Sequence, residues 1–175
     1  MENEWLQTLD EDTKGKFMAK RFMDDILMIY QKNEEWRHKE FVGDLQKSLC
    51  YQEPLSLEMA KPDTFLETRF WLEGERKIRF KLKNDNETGE AQNVWRYQHF
   101  ESNSPFMQKR ATLTASLRKV QKMGSDPVNV ADGALAKIAE FRNLRYPISV
   151  LRKACNYLGA TTGNGVWITV RDTIR

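Results

Sequence analysis

The chain has few of the residues that build disulfide frameworks and metal clusters. Its 175 residues include two cysteines and two histidines. Cys50 and Cys155 lie far apart and lack paired spacing, and neither His38 nor His99 has a Cys or His neighbour at ligand spacing. The sequence therefore predicts reduced cysteines, and it argues against a zinc site.

Long apolar runs are also missing. The longest, residues 26–30, cannot span a bilayer, and the acidic N-terminus lacks the pattern of a signal peptide. The sequence contains no internal repeat, no low-complexity tract, no Gly-rich phosphate loop and no Ser/His/Asp arrangement. With 40% hydrophobic and 30% charged residues, the composition is typical of a soluble globular protein. We expect an intracellular protein, nuclear or cytoplasmic, without a membrane partner.

The charges that are present divide unevenly along the chain. Residues 1–75 hold 10 basic and 17 acidic side chains, a net charge of −7, whereas residues 76–175 hold 18 and 8, a net charge of +10. An acidic half with clustered carboxylates beside a basic half is typical of a protein in which one part holds a metal ion and another follows a phosphate backbone. Solvated surfaces of opposite charge are the alternative interpretation.

The first half of the sequence predicts strands and one helix. Residues 17–30 have the pattern of two short strands around an acidic turn, and residues 34–49 have the spacing of a helix. Alternating apolar residues predict strands at 55–59, 66–72 and 78–82, with a tight turn at residues 73–75. A further short strand is expected at residues 95–100.

The second half predicts a bundle of three helices. Pro105 opens the first, which Gly124 stops; Pro127 opens the second; and Pro147 opens the third, with Gly159 as its stop. We expect a terminal strand at residues 166–170. The fold class is therefore α+β, with the joint in the polar stretch at residues 84–90.

The acidic turn carries the clearest chemistry. Two adjacent aspartates, Asp24 and Asp25, repel each other at the tip of an apolar hairpin, and a bound cation would remove that cost. Mg²⁺ prefers hard carboxylate oxygens and is usually held by one or two of them together with substrate phosphates. The pair therefore suits nucleotidyl transfer, and a polar turn without a ligand is the alternative.

The run around these aspartates resembles the aromatic-x-Asp-Asp motif of reverse transcriptases. Phe22 and Met23 precede the two aspartates, and the apolar residues 26–29 follow them. The resemblance implies Mg²⁺-dependent RNA-directed DNA polymerase chemistry, with Asp24 as a metal ligand and Asp25 as its weaker companion. Phe22 and Met23 would lie near the primer end or the incoming nucleotide.

The order of the later segments is also similar to that of retroelement polymerases. Residues 63–70 occupy the place of a Phe-Leu-Asp-type strand, and residues 102–110 and 145–147 are similar to the region after the palm in Penelope-like elements. The resemblance covers about residues 17–155 and is most specific at the hairpin.

The resemblance implies an architecture as well as a reaction. Residues 1–90 would form a partial palm, made of the acidic β-hairpin, one helix and antiparallel strands. Residues 91–175 would form a three-helix, thumb-like bundle that grips a primer–template duplex of RNA and DNA while deoxynucleotides are added. A further catalytic aspartate and the fingers would precede the hairpin in the family. Because 23 residues precede Asp24, we expect a truncated enzyme that does not polymerise alone.

Two groups of basic side chains are candidates for contacts with nucleic-acid phosphates. The first group shares one face of the third strand and consists of Lys77, Arg79, Lys81 and Lys83. The second group lies on the first bundle helix and consists of Lys109, Arg110, Arg118, Lys119 and Lys122. The alternative for both groups is that they form the solvent-exposed face of a sheet or helix and contact no nucleic acid. Trp95, Tyr97 and Phe100 are candidates for base stacking, although such a cluster is more often core packing.

Three functions remain open at this point. The chain is part of a reverse transcriptase, a non-catalytic nucleic-acid-binding remnant of a retroelement, or an unrelated α+β protein with an accidental Asp-Asp turn. A helix at residues 17–30 would favour the last of these.

Overall fold

The computed structural model describes residues 17–22, 25–30, 42–43, 47, 63–74, 77–83 and 96–175. These residues form a mixed α+β structure with four helices and two small antiparallel sheets. The chain divides into two compact units, Met1–Leu66 and Glu67–Arg175. The first contains the acidic hairpin and the second contains the helices.

The first unit is built on an antiparallel hairpin. Strand β1 covers Phe17–Phe22 and strand β2 covers Asp25–Tyr30. Aromatic and β-branched residues in both runs favour extended backbone, and Phe22 pairs with Asp25 at the closed end. A two-residue strand, β3, covers Thr64–Phe65. The predicted pair of antiparallel strands is therefore confirmed, while the turn residues Met23 and Asp24 lie outside the described residues.

Two other predicted elements of this unit fall mostly outside the described residues. Within the predicted helix at 34–49, the structure describes Val42, Gly43 and Lys47, and all three are helical. The predicted strand at 55–59 lies wholly outside the described residues.

The second unit begins with another antiparallel hairpin. Strand β4 (Thr68–Glu73) pairs with strand β5 (Lys77–Leu82). Phe70 lies opposite Phe80, a cross-strand aromatic pair of the kind that stabilises sheets. Gly74 enters the turn with a φ of 66°, a conformation that costs glycine little. This hairpin confirms the second and third predicted strands and the turn between them.

Four helices follow the hairpin: α1 (Phe106–Lys122), α2 (Pro127–Asn143), α3 (Ile148–Thr162) and α4 (Val166–Thr173). Helix α2 begins at Pro127 because the Asp126 carboxylate accepts the backbone N–H groups of Val128 and Asn129, each at 3.0 Å. Helix α3 ends at Gly163, which has a φ of 65°.

The four helices bury a common apolar core. Its members recur every three or four residues on each helix, which is the spacing of an amphipathic helix. The fully buried side chains are Leu113, Leu117, Ala134, Phe141, Leu151, Cys155, Leu158, Trp167 and Val170. Strand β5 is joined to the helices by its backbone, since the N–H of Ser125 donates to the carbonyl of Phe80 at 2.9 Å.

The predicted terminal strand at residues 166–170 is wrong, because this segment is helix α4. Its buried residues are Val166, Trp167 and Val170, which lie on one side of a helix and do not alternate as in a strand. The Asn164 side chain accepts the N–H of Val166 at 3.1 Å in the turn before the helix. Packing outweighs the strand preference of the β-branched residues, and the bundle has four helices instead of three.

The predicted end of α3 at Gly159 is also wrong. The helix continues through this glycine to Thr162. A Cβ atom at Gly159 would lie 3.5 Å from the Cβ of Trp167, so the residue marks the place where α4 packs closely on α3. Gly159 therefore lies inside α3, within contact distance of α4, and does not end the helix.

The division between the two compact units falls between Leu66 and Glu67. Strands β4 and β5 belong to the same unit as the helices, which begins at Glu67. The predicted joint at residues 84–90 lies outside the described residues.

Candidate functional site

The acidic hairpin places the predicted catalytic motif at the end of two paired strands. Phe22 and Asp25 face each other across the ladder, and both side chains are exposed. Only Met23 and Asp24 separate them in sequence, and these two residues lie outside the described part of the chain. An exposed carboxylate at Asp25 is accessible to a hydrated cation and to the phosphates that usually accompany Mg²⁺.

The basic face of β5 includes an acidic neighbour from β4. Lys77, Arg79 and Lys81 share this face by alternation, and Glu73 lies opposite Lys77 in the register. The Lys77 ammonium lies 3.7 Å from the Glu73 carboxylate. Lys81 is half-buried and Lys83 is exposed. The face therefore carries mixed charge and is not purely cationic.

Arg79 is held inside the fold by two carboxylates. Its guanidinium donates to Glu73 and to Asp126, each at 2.7 Å, and the side chain is 19% exposed. The hydrogen bond from the backbone N–H of Asn129 is the largest cause that lowers the pKa of Asp126, and Ser125 and Arg79 lower it further against the effect of burial. Arg79 therefore connects the hairpin to the start of α2, and its charge is already neutralised.

Lys109 is the second predicted phosphate contact that the fold uses internally. Its residue is 7% exposed, and its ammonium donates to the carbonyls of Phe100 at 2.7 Å and Ser102 at 2.5 Å. The same nitrogen lies 5.6 Å from the centre of the Phe100 ring, within the range of a cation–π contact. Lys109 thus holds the loop before α1 against the helix.

The other basic side chains of α1 are exposed, and the helix contains no acidic residue. Lys119 forms an ion pair with Glu67. Arg118 and Lys122 are four residues apart, so they lie on one side of the helix, whereas Arg110 lies nearer its first turns. Arg110, Arg118 and Lys122 are the predicted contacts on α1 whose charges face solvent.

The aromatic cluster before α1 packs into the core. Tyr97 stacks on Phe141 with ring centres 4.6 Å apart, and Phe100 packs edge-to-face on Tyr146 at 5.1 Å. The core-packing interpretation is therefore confirmed for Tyr97 and Phe100. Trp95 lies outside the described residues.

The strand predicted at residues 95–100 is wrong over its described part, since residues 96–100 form a loop. The backbone N–H of Phe100 donates to the carbonyl of Leu144 at 2.9 Å. This bond joins the loop to the end of α2 in place of a neighbouring strand.

Sequence reasoning missed a cavity of about 420 Å³ between this loop and α1. It is lined by Arg96, Tyr97, Gln98, Gln108, Ala111 and Thr112. No sequence motif marks these residues, because the two segments meet through tertiary contacts, among them the packing of Tyr97 on Phe141 and the hydrogen bonds of Lys109 to the loop.

Within the part of the chain that the structure describes, no group of three or more His, Cys, Asp or Glu side chains is placed to hold a metal ion. Cys155 is a free thiol in the core, and burial raises its pKa to about 11. None of the described helices is long and apolar enough to cross a membrane.

The fold and the exposed charges together define an α+β protein with an acidic hairpin in one unit and a basic helical bundle in the other. A scan against protein-family models found no match, and searches of the curated proteins and of the solved structures found none.

Proposed function

We propose that this chain is the palm and thumb portion of a reverse transcriptase. The observation that carries this proposal is the register of the acidic hairpin, in which Phe22 pairs with Asp25. The run from Phe22 to Asp25 thereby occupies the closed end of an antiparallel hairpin, where a polymerase of this family presents its metal-binding carboxylates.

The proposed cofactor is Mg²⁺, held by Asp24 and Asp25 in the complete enzyme. Two neighbouring carboxylates fit an ion that keeps several waters and takes its remaining ligands from substrate phosphates. When bound, the ion would stabilise charge on the attacking and leaving oxygens of nucleotidyl transfer. The exposed ring of Phe22 would contact the primer end or the incoming nucleotide, together with Met23.

The proposed partner of the helical unit is the primer–template duplex. Residues 101–175 hold 12 basic and 5 acidic side chains, a net charge of +7. Arg110, Arg118 and Lys122 present exposed cations on a helix without acidic residues. Each contact of this kind with a phosphate adds a salt-dependent, sequence-independent increment to the binding free energy.

Metal binding tests the catalytic part of the proposal. We expect the chain, with a primer–template and a deoxynucleotide present, to bind Mn²⁺ in place of Mg²⁺. The doubly substituted Asp24→Asn/Asp25→Asn chain should bind it roughly tenfold more weakly, because both hard anionic ligands are lost. Electron paramagnetic resonance of free Mn²⁺ during a titration measures this difference.

The double substitution Asp132→Asn/Asp172→Asn provides the matched control, since both are exposed aspartates on α2 and α4. It should leave Mn²⁺ binding unchanged. Equal binding by the original chain and the hairpin variant would contradict the proposed metal site.

A second candidate function, a non-catalytic nucleic-acid-binding protein, is favoured by the basic charge of residues 101–175. Both functions require binding to duplex phosphates, which a salt titration measures. We expect log K to fall linearly with log salt, and Arg118→Ala/Lys122→Ala to reduce the slope by roughly two, because two phosphate contacts disappear.

The variant Lys153→Ala/Arg175→Ala removes the same charge from other segments and should keep the slope. A flat salt response of the original chain would argue against both functions. A steep response without Mn²⁺ binding at the hairpin would support the non-catalytic one.

A further inference from the structure

The cavity between residues 96–98 and α1 is an open cleft, since five of its six lining residues are exposed and Tyr97 is half-buried, and it has the volume of a ligand site. Its volume of about 420 Å³ falls within the range of about 300–1,000 Å³ that is typical of small-molecule sites. It is formed by the loop before α1 and by Gln108, Ala111 and Thr112 on the first half of that helix.

The wall of the cavity that Tyr97 forms is held in place by contacts of this side chain with the core. The Tyr97 ring stacks on Phe141, and its hydroxyl shares a 2.9 Å hydrogen bond with the buried Ser116. The ammonium of Lys137, which is also buried, lies 5.4 Å from the Tyr97 ring centre and 2.7 Å from Glu140. A wall held by these contacts does not need to be ordered by the ligand, which lowers the entropic cost of binding.

The chemistry of the lining favours a planar ligand with mixed polarity. The amides of Gln98 and Gln108 each supply a hydrogen-bond donor and an acceptor, as the edges of nucleobases require. Arg96 also lines the cavity, but it already has a partner within the fold, so the phosphates of a ligand depend on cations farther along α1. The lining contains no acidic side chain, and neither does α1, so a phosphate meets no repulsion from these elements.

Further cations lie beyond the cavity along the same helix. Ala111, Ala115, Arg118 and Lys122 follow one another at intervals of three or four residues, which places them on one side of α1. At 1.5 Å per residue, Arg118 and Lys122 lie about 10–16 Å from Ala111. A strand with one base in the cavity can reach both cations with its next phosphates.

We propose that this cavity binds one unstacked nucleotide of a single-stranded nucleic acid, with the adjoining phosphates running along α1 toward Arg118 and Lys122. A paired base cannot enter, because its edge is already used and its faces are stacked. The inference rests on the proposed function in requiring that the chain meets nucleic acid. It adds a base-binding cavity that duplex binding does not use, while Arg118 and Lys122 serve both.

Filling the cavity tests the inference. Ala111 on α1 and Ala160 on α3 are both exposed, but only Ala111 lines the cavity. We expect Ala111→Phe to weaken binding of a fluorescent single-stranded hexanucleotide, as RNA or as DNA, by roughly tenfold. Ala160→Phe, the same substitution on another helix, should change this affinity less than twofold. Fluorescence anisotropy measures both, and binding of a duplex of the same length is measured in parallel.

Several results would overturn the inference. Equal effects of the two substitutions would show that the cavity is not the site, as would an Ala111→Phe chain that keeps its full single-strand affinity. An acidic hexapeptide that competes as well as the hexanucleotide would reveal general anion binding. If duplex binding and its salt slope persist in any of these cases, the single-strand site fails while the proposed function stands.

Discussion

Replacing Trp167 by alanine should lower the free energy of unfolding of the helical unit by about 3–5 kcal/mol. Trp167 is fully buried, and its indole N–H donates to Gln121 of α1 at 2.8 Å. Truncation would leave a large void beside Gly159 and remove the donor to Gln121, and both effects destabilise. Guanidinium unfolding followed by far-ultraviolet circular dichroism measures the loss.

Two other substitutions separate the contributions of packing and hydrogen bonding. Ile168→Ala, at the next position, removes a side chain that is 56% exposed and should cost less than about 1 kcal/mol. Trp167→Phe retains an aromatic ring but not the indole N–H, so its loss of stability should lie between those of Trp167→Ala and Ile168→Ala. A Trp167→Ala chain as stable as Ile168→Ala would show that α4 does not pack on the bundle.

Replacing Lys109 by methionine should destabilise the same unit by about 2–4 kcal/mol. Methionine keeps much of the apolar length of the side chain but cannot donate to the carbonyls of Phe100 and Ser102. Each of these carbonyls then loses a charge-assisted hydrogen bond in a partly buried position. Chemical unfolding measures the difference in stability.

The neighbouring substitution Arg110→Met is the control. Arg110 is exposed, and its loss should change the stability by less than about 0.5 kcal/mol. If Lys109 were chiefly a phosphate contact, Lys109→Met would keep the stability and lose affinity for nucleic acid. That outcome would contradict the structural role of Lys109.

The elements with strong periodicity were predictable from the sequence. Alternation around Phe70 and Phe80 predicts the β4–β5 hairpin, and the spacing of Leu113, Leu117 and Val120 predicts α1, because burial of one face repeats with the geometry of each element. The same patterns gave a wrong prediction for residues 166–170. Its β-branched residues favour a strand, whereas the burial of Trp167 in the core of the bundle, a tertiary contact that the sequence does not show, favours a helix.

The sequence predicts which faces carry basic side chains, but it does not predict which of these side chains the fold neutralises or buries. Alternation correctly places Arg79 beside Lys77 and Lys81, yet its partner Asp126 lies 47 positions away in sequence. Lys109 differs from Arg110 by a rotation of about 100° around the helix axis, which buries one charge and exposes the other. Charge can be read from a sequence, but the neutralising partner depends on tertiary contacts.

The contacts between Arg79 and Asp126 and between Ser125 and Phe80 also determine how the protein can be divided. Both connect the β4–β5 hairpin to the start of α2. A fragment starting after residue 90 would keep all four helices but lose the guanidinium that faces the α2 cap and the carbonyl that accepts the N–H of Ser125. A fragment that starts at Glu67, the first residue of the second unit, preserves these contacts and allows the basic bundle to be studied without the acidic hairpin.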